Sequence, residues 1–201
     1  LASSGLLNEK LILVHMVETN QEDLAQLVAA GSHVITCPKS NAKLASGHTP
    51  LFEIRSAGIN VGLGTDSAAS NNSLDMLEEC RMMALFNKAV TQDPAALSAY
   101  DCLYAATMGN AHALGLEAQI GSIDVGKQAD LIAVNLYALN TYPHHHPIAQ
   151  LVYAAHSQQI SHVWTQGRLR IKEGSFIDID EQELKRIAKN WSDKTINFSH
   201  T

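Results

Sequence analysis

The sequence has few of the features that mark nucleic-acid-binding or membrane proteins. Its 14 Lys and Arg residues are scattered, only 5% of its residues are aromatic, and its formal net charge is −6. Because no basic stripe with interleaved aromatics is present, we expect no nucleic-acid partner. No run approaches the ~18 apolar residues that span a bilayer, and the first residues lack the regions of a signal peptide, so we expect no membrane association.

Cysteine is also scarce. Cys37, Cys80 and Cys102 are odd in number, far apart and set among apolar residues. This usage predicts reduced thiols in a cytoplasmic protein rather than a disulfide framework. With 201 residues that are 46% hydrophobic, the chain is long and apolar enough to bury a core.

The first third of the chain alternates between short apolar runs and helical patterns. Residues 11–17 and 33–37 are predicted as buried strands, separated by a helix capped by Asn20 and ended by Gly31. Residues 39–47 are predicted as a loop, and a helix over about 50–57 leads into a third strand. Connections of this length predict parallel crossover pairing of the three strands.

The stretch 59–72 combines a strand, a turn of small residues and a helix start. Gly62 and Gly64 allow a backbone or a ligand to approach closely. Asp66 follows this strand, and His15 lies near the carboxyl end of the first. On the residues alone, Asp66 is either a turn-capping aspartate or a site carboxylate, and His15 is either a core histidine or a site imidazole.

The placement of these residues at strand carboxyl ends favours a (β/α) barrel or an open doubly wound sheet. No G-x-G-x-x-G or G-K-[ST] loop is present, so the barrel is preferred. A complete barrel has eight units and roughly 250 residues. We therefore expect these three units to form the last part of a barrel.

The sequence pattern changes beyond Gly115, where short predicted strands alternate with glycine turns. We therefore divide the chain into a barrel part, residues 1–118, and a second segment, residues 119–201. The further predicted elements are helices over 74–89, 95–104 and 103–114 (with a break near Met108–Gly109), short strands within 120–134, strands over 160–165 and 169–172, and a capped helix over 180–191.

Several blocks of the sequence are typical of one enzyme group. They are C-P-K-S-N-A-K-L-A-S-G from Cys37, G-T-D-S-A-A-S-N-N from Gly64, A-L-G-L from Ala113, I-G-S-I from Ile120, G-K-Q-A-D-L from Gly126 and L-V-Y-A-A from Leu151. The chain thereby resembles the amidohydrolase superfamily, and within it the branch of 5-methylthioadenosine and S-adenosylhomocysteine deaminases with their chlorohydrolase-like relatives. The first two blocks are the most specific to this branch.

The resemblance implies the carboxyl-terminal part of a metal-dependent (β/α)8 TIM barrel, followed by a small β-sandwich segment. It implies one divalent metal ion, preferably zinc, with Asp66 as a ligand. Asp66 and His15 are the implied catalytic residues, and His15, Asp66 and Ser67 the implied substrate-binding residues. An H-x-H pair, a further histidine and a glutamate of the family pattern have no counterpart among these 201 residues.

The implied reaction is hydrolytic deamination of an adenosine-type nucleoside, in which a metal-activated hydroxide attacks ring carbon C6, Asp66 shuttles the proton and ammonia leaves. The alternatives are a guanine, pyrimidine or triazine ring as substrate, or an inactive fragment or interaction lobe that lacks most metal ligands. The implied partners are the substrate and the remaining barrel half, and a homo-oligomer stays open.

The other histidines are expected to have no role in the chemistry. His144, His145 and His146 are predicted to form a surface loop rather than a metal cluster, because adjacent side chains point in different directions. His33 and His48 are predicted as ordinary strand and loop residues, with a place for His48 near the substrate mouth as the alternative. Thr36 stands where some relatives carry histidine, and this leaves the fine shape of the pocket open.

Overall fold

The structure, a computed structural model, describes residues 2–143 and 145–198. Strands and helices alternate at first, and helices then give way to antiparallel strands. The first elements are β1 (Ile12–Val14), α1 (Gln21–Ala30), β2 (His33–Thr36), α2 (Pro38–Lys43), α3 (Leu51–Ser56), β3 (Val61–Leu63), α4 (Ala68–Asn71) and α5 (Met76–Thr91). The later ones are α6 (Ala99–Tyr104), a π-helical turn (Ala105–Gly109), α7 (Asn110–Ala113), β4 (Leu131–Val134), α8 (Pro147–Tyr153), β5 (Ile160–Thr165), β6 (Arg168–Lys172), β7 (Ser175–Phe176) and α9 (Glu181–Phe198), with 3-10 turns at Ala2–Ser4 and Ser157–Gln159.

The three predicted crossover strands form one parallel sheet in the order β1-β2-β3. Val34 and Leu63 are buried in its core, together with Leu51 and Ile54 from α3. The prediction of buried strands holds fully only for β3, whose three residues are all buried. The strands β1 and β2 are only partly buried, and Val14 is 47% exposed. The sheet sets the carboxyl ends of all three strands along one edge.

Glycine permits the π-helical turn to pack directly on β3. A Cβ atom at Gly109 would lie 2.2 Å from the Val61 carbonyl oxygen, and one at Gly62 would lie 2.2 Å from Asn110 Oδ1. The Asn110 amide also bonds both backbone groups of Leu63, accepting from its N–H at 2.9 Å and donating to its carbonyl at 2.8 Å. The last residue of β3 is therefore held from the side as well as by its neighbouring strand.

The prediction of a loop over residues 39–47 is wrong in its first half, because α2 occupies Pro38–Lys43. Pro38 stands at the first helical turn, where its missing N–H leaves no donor unpaired. Ser40 and Asn41 are buried on this helix, so polar residues that suggest an exposed loop instead face the interior.

Two further boundaries differ from prediction. The helix expected over 95–104 begins only at Ala99, because Ser98 and Asp101 form a capping box. Of the short strands expected within 120–134, only β4 forms, since the residues before it make turns. The break expected near Met108 is the π-helical turn, a single-turn widening that lets the chain continue as helix.

The later strands form an antiparallel sheet in the order β4-β5-β6-β7. The strands predicted over 160–165 and 169–172 pair as a hairpin, but the second strand begins one residue earlier than predicted. Thr165 pairs with Arg168 across the two-residue turn Gln166–Gly167, both with positive φ. The described residues contain this single antiparallel sheet, so the β-sandwich stays a prediction. The helix α9 follows, and its apolar side chains Leu184, Ile187 and Trp191 are between 41% and 63% exposed.

The expectation of reduced cysteines is met within the described residues. Cys37, Cys80 and Cys102 are free and buried. No helix in residues 2–143 and 145–198 combines the length and apolarity that crossing a membrane requires.

Candidate active site

The carboxyl edge of the parallel sheet brings Asp66 and His15 together. His15 follows β1 and Asp66 comes three residues after β3, on opposite sides of β2. His15 Nε2 lies 3.9 Å from Asp66 Oδ2, and the two side chains are 38% and 32% exposed. An imidazole and a carboxylate thus face a common, solvent-accessible space.

The backbone at both positions is in the left-handed region. His15 has φ 73°, Met16 φ 45° and Asp66 φ 59°. Non-glycine residues adopt this conformation at a cost of about 1–3 kcal/mol each and retain it only where surrounding contacts enforce it. It also ends β1 at Val14, earlier than the predicted boundary of residue 17. Such strain is concentrated at functional sites.

The helix α2 holds both side chains through two consecutive residues. Ser40 Oγ donates to Asp66 Oδ2 at 2.8 Å, and Asn41 Oδ1 lies 2.7 Å from His15 Nδ1. Because Asn41 Nδ2 donates to Thr49 Oγ1 at 3.4 Å, its Oδ1 is the acceptor for the imidazole. The hydrogen-bond pattern therefore places a proton on His15 Nδ1 and turns Nε2 toward Asp66.

Two hydroxyl groups control the proton affinity of Asp66. Ser70 Oγ donates to Asp66 Oδ2 at 2.6 Å, in addition to the Ser40 bond. These hydrogen bonds, with that from Ser70 the largest cause, lower the pKa of Asp66 below its ordinary value. Asp66 is consequently a carboxylate at neutral pH, the form that can bind a cation or accept a proton.

A buried threonine pair fixes the backbone beneath His15. Thr49 Oγ1 donates to the His15 carbonyl at 2.5 Å, and Thr36 Oγ1 lies 2.9 Å from Thr49 Oγ1. Sequence reasoning assigned no role in the site to Thr49, Ser40, Asn41 or Ser70. Ser40, Asn41 and Ser70 lie within the two blocks most specific to the resembled branch, which was the available signal. Nothing local in the sequence singles out Thr49.

Cys37 lies at the same edge of the sheet, directly after β2. Burial, with the nearby charge of Asp66 adding to it, raises the pKa of the Cys37 thiol to about 11. The thiol therefore stays protonated at neutral pH in this arrangement.

Three further histidines of the described residues have structural partners. His33 stands at the amino end of β2, where Asn60 Nδ2 lies 3.1 Å from its Nδ1. His48 packs edge-on against Phe86 at 6.3 Å between ring centroids. His146 Nδ1 accepts from the Ala149 N–H at 3.3 Å and so caps α8, while His144 lies outside the described residues.

Ser67 adjoins Asp66 and is exposed. Its hydroxyl accepts from the Ser70 N–H at 3.2 Å and thereby caps α4. Ser67 thus has a structural role in the turn that carries Asp66, and its predicted contact with substrate stays a prediction.

A divalent metal ion fits this edge of the sheet, with Asp66 as one of several ligands. Asp66 offers a hard, ionised carboxylate on a rigid turn, which suits such an ion. Across residues 2–143 and 145–198, no three His, Cys, Asp or Glu side chains cluster in a way that could hold a metal. Asp66 can therefore supply one ligand, and a complete site needs donors from outside these residues.

The chain matches curated relatives over nearly all of its length. It is 45% identical over 194 residues to the 5-methylthioadenosine/S-adenosylhomocysteine deaminase of Teredinibacter turnerae, an alignment that covers 96% of this chain and 44% of that protein. The chain thus spans less than half the length of this relative.

Solved structures are likewise similar to nearly all of this chain, which covers less than half of each of them. An adenosine deaminase from Xanthomonas campestris with bound zinc superposes with a TM-score of 0.93 at 44% identity, over 96% of this chain and 44% of that one. An atrazine chlorohydrolase from Arthrobacter aurescens, complexed with zinc, gives 0.86 at 27% identity over 96% and 42%. The model of the amidohydrolase family matches residues 1–170. With that match over most of its length, the chain belongs to the amidohydrolase family.

Proposed function

We propose that this chain is the carboxyl-terminal part of a metal-dependent aminohydrolase that deaminates an adenosine-type nucleoside, with 5-methylthioadenosine and S-adenosylhomocysteine as substrates. The observation that carries the proposal is the pairing of Asp66 with His15 at the carboxyl edge of the parallel sheet, 3.9 Å apart. In (β/α) barrels, active sites lie at this edge. The identity to the Teredinibacter turnerae deaminase supports the choice of substrate.

The chemistry follows from the protonation states at this edge. The hydrogen bonds from Ser70 and Ser40 stabilise the ionised form of Asp66. This carboxylate accepts the proton of the attacking water and passes it to the departing amino group, so that ammonia leaves. His15 Nε2, the ring nitrogen without a proton, faces the same space and can accept a hydrogen bond from the attacking water. A divalent ion bound partly by Asp66 would supply Lewis-acid activation of water.

A second substrate class has specific support from the comparison of structures. The atrazine chlorohydrolase superposes over 96% of this chain. In a triazine the leaving group sits on an electron-poor ring carbon, as in adenine, so the same edge could serve both rings. A panel of substrates therefore decides between the two.

The test measures ammonia or chloride release by the full-length protein that carries these residues. We expect release of ammonia from 5-methylthioadenosine and S-adenosylhomocysteine, and much slower turnover of guanine, pyrimidine and chlorotriazine rings. Asp66→Asn should lower kcat/KM by about 10²- to 10⁴-fold, because it removes both a metal ligand and the proton acceptor. His15→Gln should lower it by about 10²-fold, because the ring nitrogen that accepts a hydrogen bond from the attacking water is lost.

Asp178→Asn is the matched control, since Asp178 is 64% exposed and lies 3.5 Å from Arg170 in a surface ion pair. It should leave kcat/KM unchanged. Equal activity of the Asp66→Asn and Asp178→Asn variants would refute the assigned role of Asp66, and preference for a triazine or guanine would replace the proposed substrate.

A further inference from the structure

A carboxylate that the proposed chemistry does not use lies buried beneath the site. Glu79, on α5, is 0% exposed. Burying a charged group is costly unless partners compensate for it. In the described part of the chain no ion pair involves Glu79; the Lys39 ammonium contacts its neighbour Glu78 instead.

Both hydrogen-bond partners of Glu79 belong to segments that hold Asp66. Glu79 Oε2 accepts from the Lys39 N–H at 3.2 Å, and Lys39 directly precedes Ser40 on α2. Glu79 Oε1 accepts from Asn71 Nδ2 at 2.5 Å, and Asn71 directly follows Ser70 on α4. Ser40 and Ser70 are the two hydroxyl donors to Asp66.

The link from Asn71 reaches the strained turn itself. Asn71 Nδ2 also donates to the carbonyl of Thr65, the residue before Asp66, at 2.6 Å. Asn71 is 2% exposed, so this bond is shielded from water. Because Asp66 has φ 59°, its conformation depends on contacts of this kind.

We propose that Glu79 is a positioning residue that sets the orientation of the Asp66 carboxylate by joining the start of α2 to the turn after β3. Glu79 acts through Lys39 and Asn71, its hydrogen-bond partners in the described part of the chain. The inference rests on the proposed function, because it concerns the alignment of a metal ligand and proton acceptor. Residues that orient ligands in this way typically change metal affinity or activity by 10- to 100-fold when they are replaced.

The decisive variant is Glu79→Gln in the full-length, metal-loaded protein. Glutamine keeps the size of the side chain but replaces one acceptor oxygen by an amide NH2. One of the two donors, the backbone N–H of Lys39 or the side-chain Nδ2–H of Asn71, therefore loses its acceptor. We expect zinc affinity, measured by competition with a chelator, to fall about 10- to 100-fold. We also expect kcat to fall by a similar factor with KM nearly unchanged, since the substrate contacts are not altered.

Glu78→Gln is the matched control, because it makes the same change one residue earlier on α5, where the carboxylate is 44% exposed and meets the Lys39 side chain. It should change neither zinc affinity nor the ratio of kcat to KM. Asn71→Ala, which cuts the link at its other end and leaves Glu79 in place, should reproduce the pattern of Glu79→Gln. A double-mutant cycle with Asp66→Asn tests the route: the effect of Glu79→Gln on zinc affinity should disappear once Asp66 no longer binds the ion.

The outcomes separate this inference from the function it rests on. A wild-type protein that neither binds zinc nor deaminates would refute the proposed function. A wild-type protein that does both, with a Glu79→Gln variant equal to Glu78→Gln, would refute the positioning role alone. Loss of the fold in both Glu79→Gln and Asn71→Ala, judged by circular dichroism, would assign these bonds to stability and would also overturn the positioning role.

Discussion

At the scale of residues, neighbouring groups decide the proton affinity of each buried or half-buried carboxyl group. Hydroxyl donors lower the pKa of Asp66, with Ser70 the largest cause, whereas burial raises the pKa of Glu79. Burial also acts to raise the pKa of Asp101, but hydrogen bonds from Arg55 and Ser98 outweigh it and lower the value to about 2. Three carboxyl groups thus differ because of their partners rather than their type.

The ion pair of Asp101 with Arg55 makes stability depend on pH. The two side chains are 2.7 Å apart and 27% and 41% exposed. Because the pKa of Asp101 is lower in the folded state, the stabilisation is present above its unfolded pKa near 4 and is lost as pH falls through about 2. Arg55→Gln should therefore lower the free energy of unfolding by about 1 kcal/mol at pH 7, a value reduced for solvent screening, and by progressively less toward pH 2.

Chemical denaturation between pH 7 and pH 2 measures this difference. Lys185→Gln is the control, since Lys185 is 70% exposed and lies 4.0 Å from Glu181; it should have no measurable effect at any pH. A loss for Arg55→Gln that is constant across the pH range would contradict the assigned pairing.

At the scale of elements, the site depends on how closely helical segments pack against the parallel strands. The π-helical turn lies on β3, and the Gly109 carbonyl accepts from Asn60 Nδ2 at 2.8 Å. Asn110, at the start of α7, holds both backbone groups of Leu63. The strand that leads to Asp66 is therefore positioned from two sides.

Gly109→Ala tests this packing. The added Cβ would stand 2.2 Å from the Val61 carbonyl oxygen, a backbone atom that cannot rotate away. We expect the free energy of unfolding to fall by about 1–3 kcal/mol, the usual cost of overpacking, with a matching decrease in Tm. Thr107→Ala, at an exposed position of the same turn, should change it by less than about 0.5 kcal/mol. Equal Tm values for the two variants would contradict the close packing of the turn on β3.

At the scale of the whole molecule, a three-stranded parallel sheet precedes a four-stranded antiparallel sheet. Asp66 and His15 lie together at the carboxyl edge of the parallel sheet. The described residues hold no cluster of three metal-binding side chains. The chain aligns with 44% of the Teredinibacter turnerae deaminase. The proposed catalysis therefore requires groups that these residues do not supply.

The 201-residue chain expressed by itself should accordingly release no ammonia from 5-methylthioadenosine at enzyme-like rates. One carboxylate cannot by itself hold a catalytic ion, since such sites use at least three protein ligands. The positive control is the full-length Teredinibacter turnerae relative in the same ammonia assay. Turnover by the pure 201-residue chain would contradict the requirement for further ligands.

Sequence reasoning worked best where periodicity and strand position carry the information. The parallel pairing of β1, β2 and β3, the pairing of β5 with β6 and the presence of α9 follow from apolar spacing and turn residues. The boundaries are less accurate, since β6 begins one residue earlier than predicted and α9 ends at Phe198 rather than near residue 191. The meeting of Asp66 with His15 follows from parallel pairing, which gathers the carboxyl ends of strands. These features depend on local patterns that the chain displays directly.

The features that could not be predicted from the sequence, the helix α2 and the role of Thr49, depend on tertiary contacts. The helix α2 was predicted as a loop, because Ser40 and Asn41 are polar residues that local pattern places in solvent, whereas the fold buries them to bond Asp66 and His15. The role of Thr49 likewise arises only when its hydroxyl meets the His15 carbonyl, 34 positions away. No local propensity encodes a contact of that separation.

One feature of the site bears on how substrate preference can diverge. Because α2 bonds Asp66 and His15 through consecutive residues, a tilt of this short helix displaces both groups in the same direction and largely preserves their separation. Exposed substitutions at Lys43 and Leu44, at the end of α2, can therefore shift the reacting pair relative to a bound ring without taking it apart. Substitutions on α2 could therefore change which substrate ring is preferred while the distance between Asp66 and His15 stays the same.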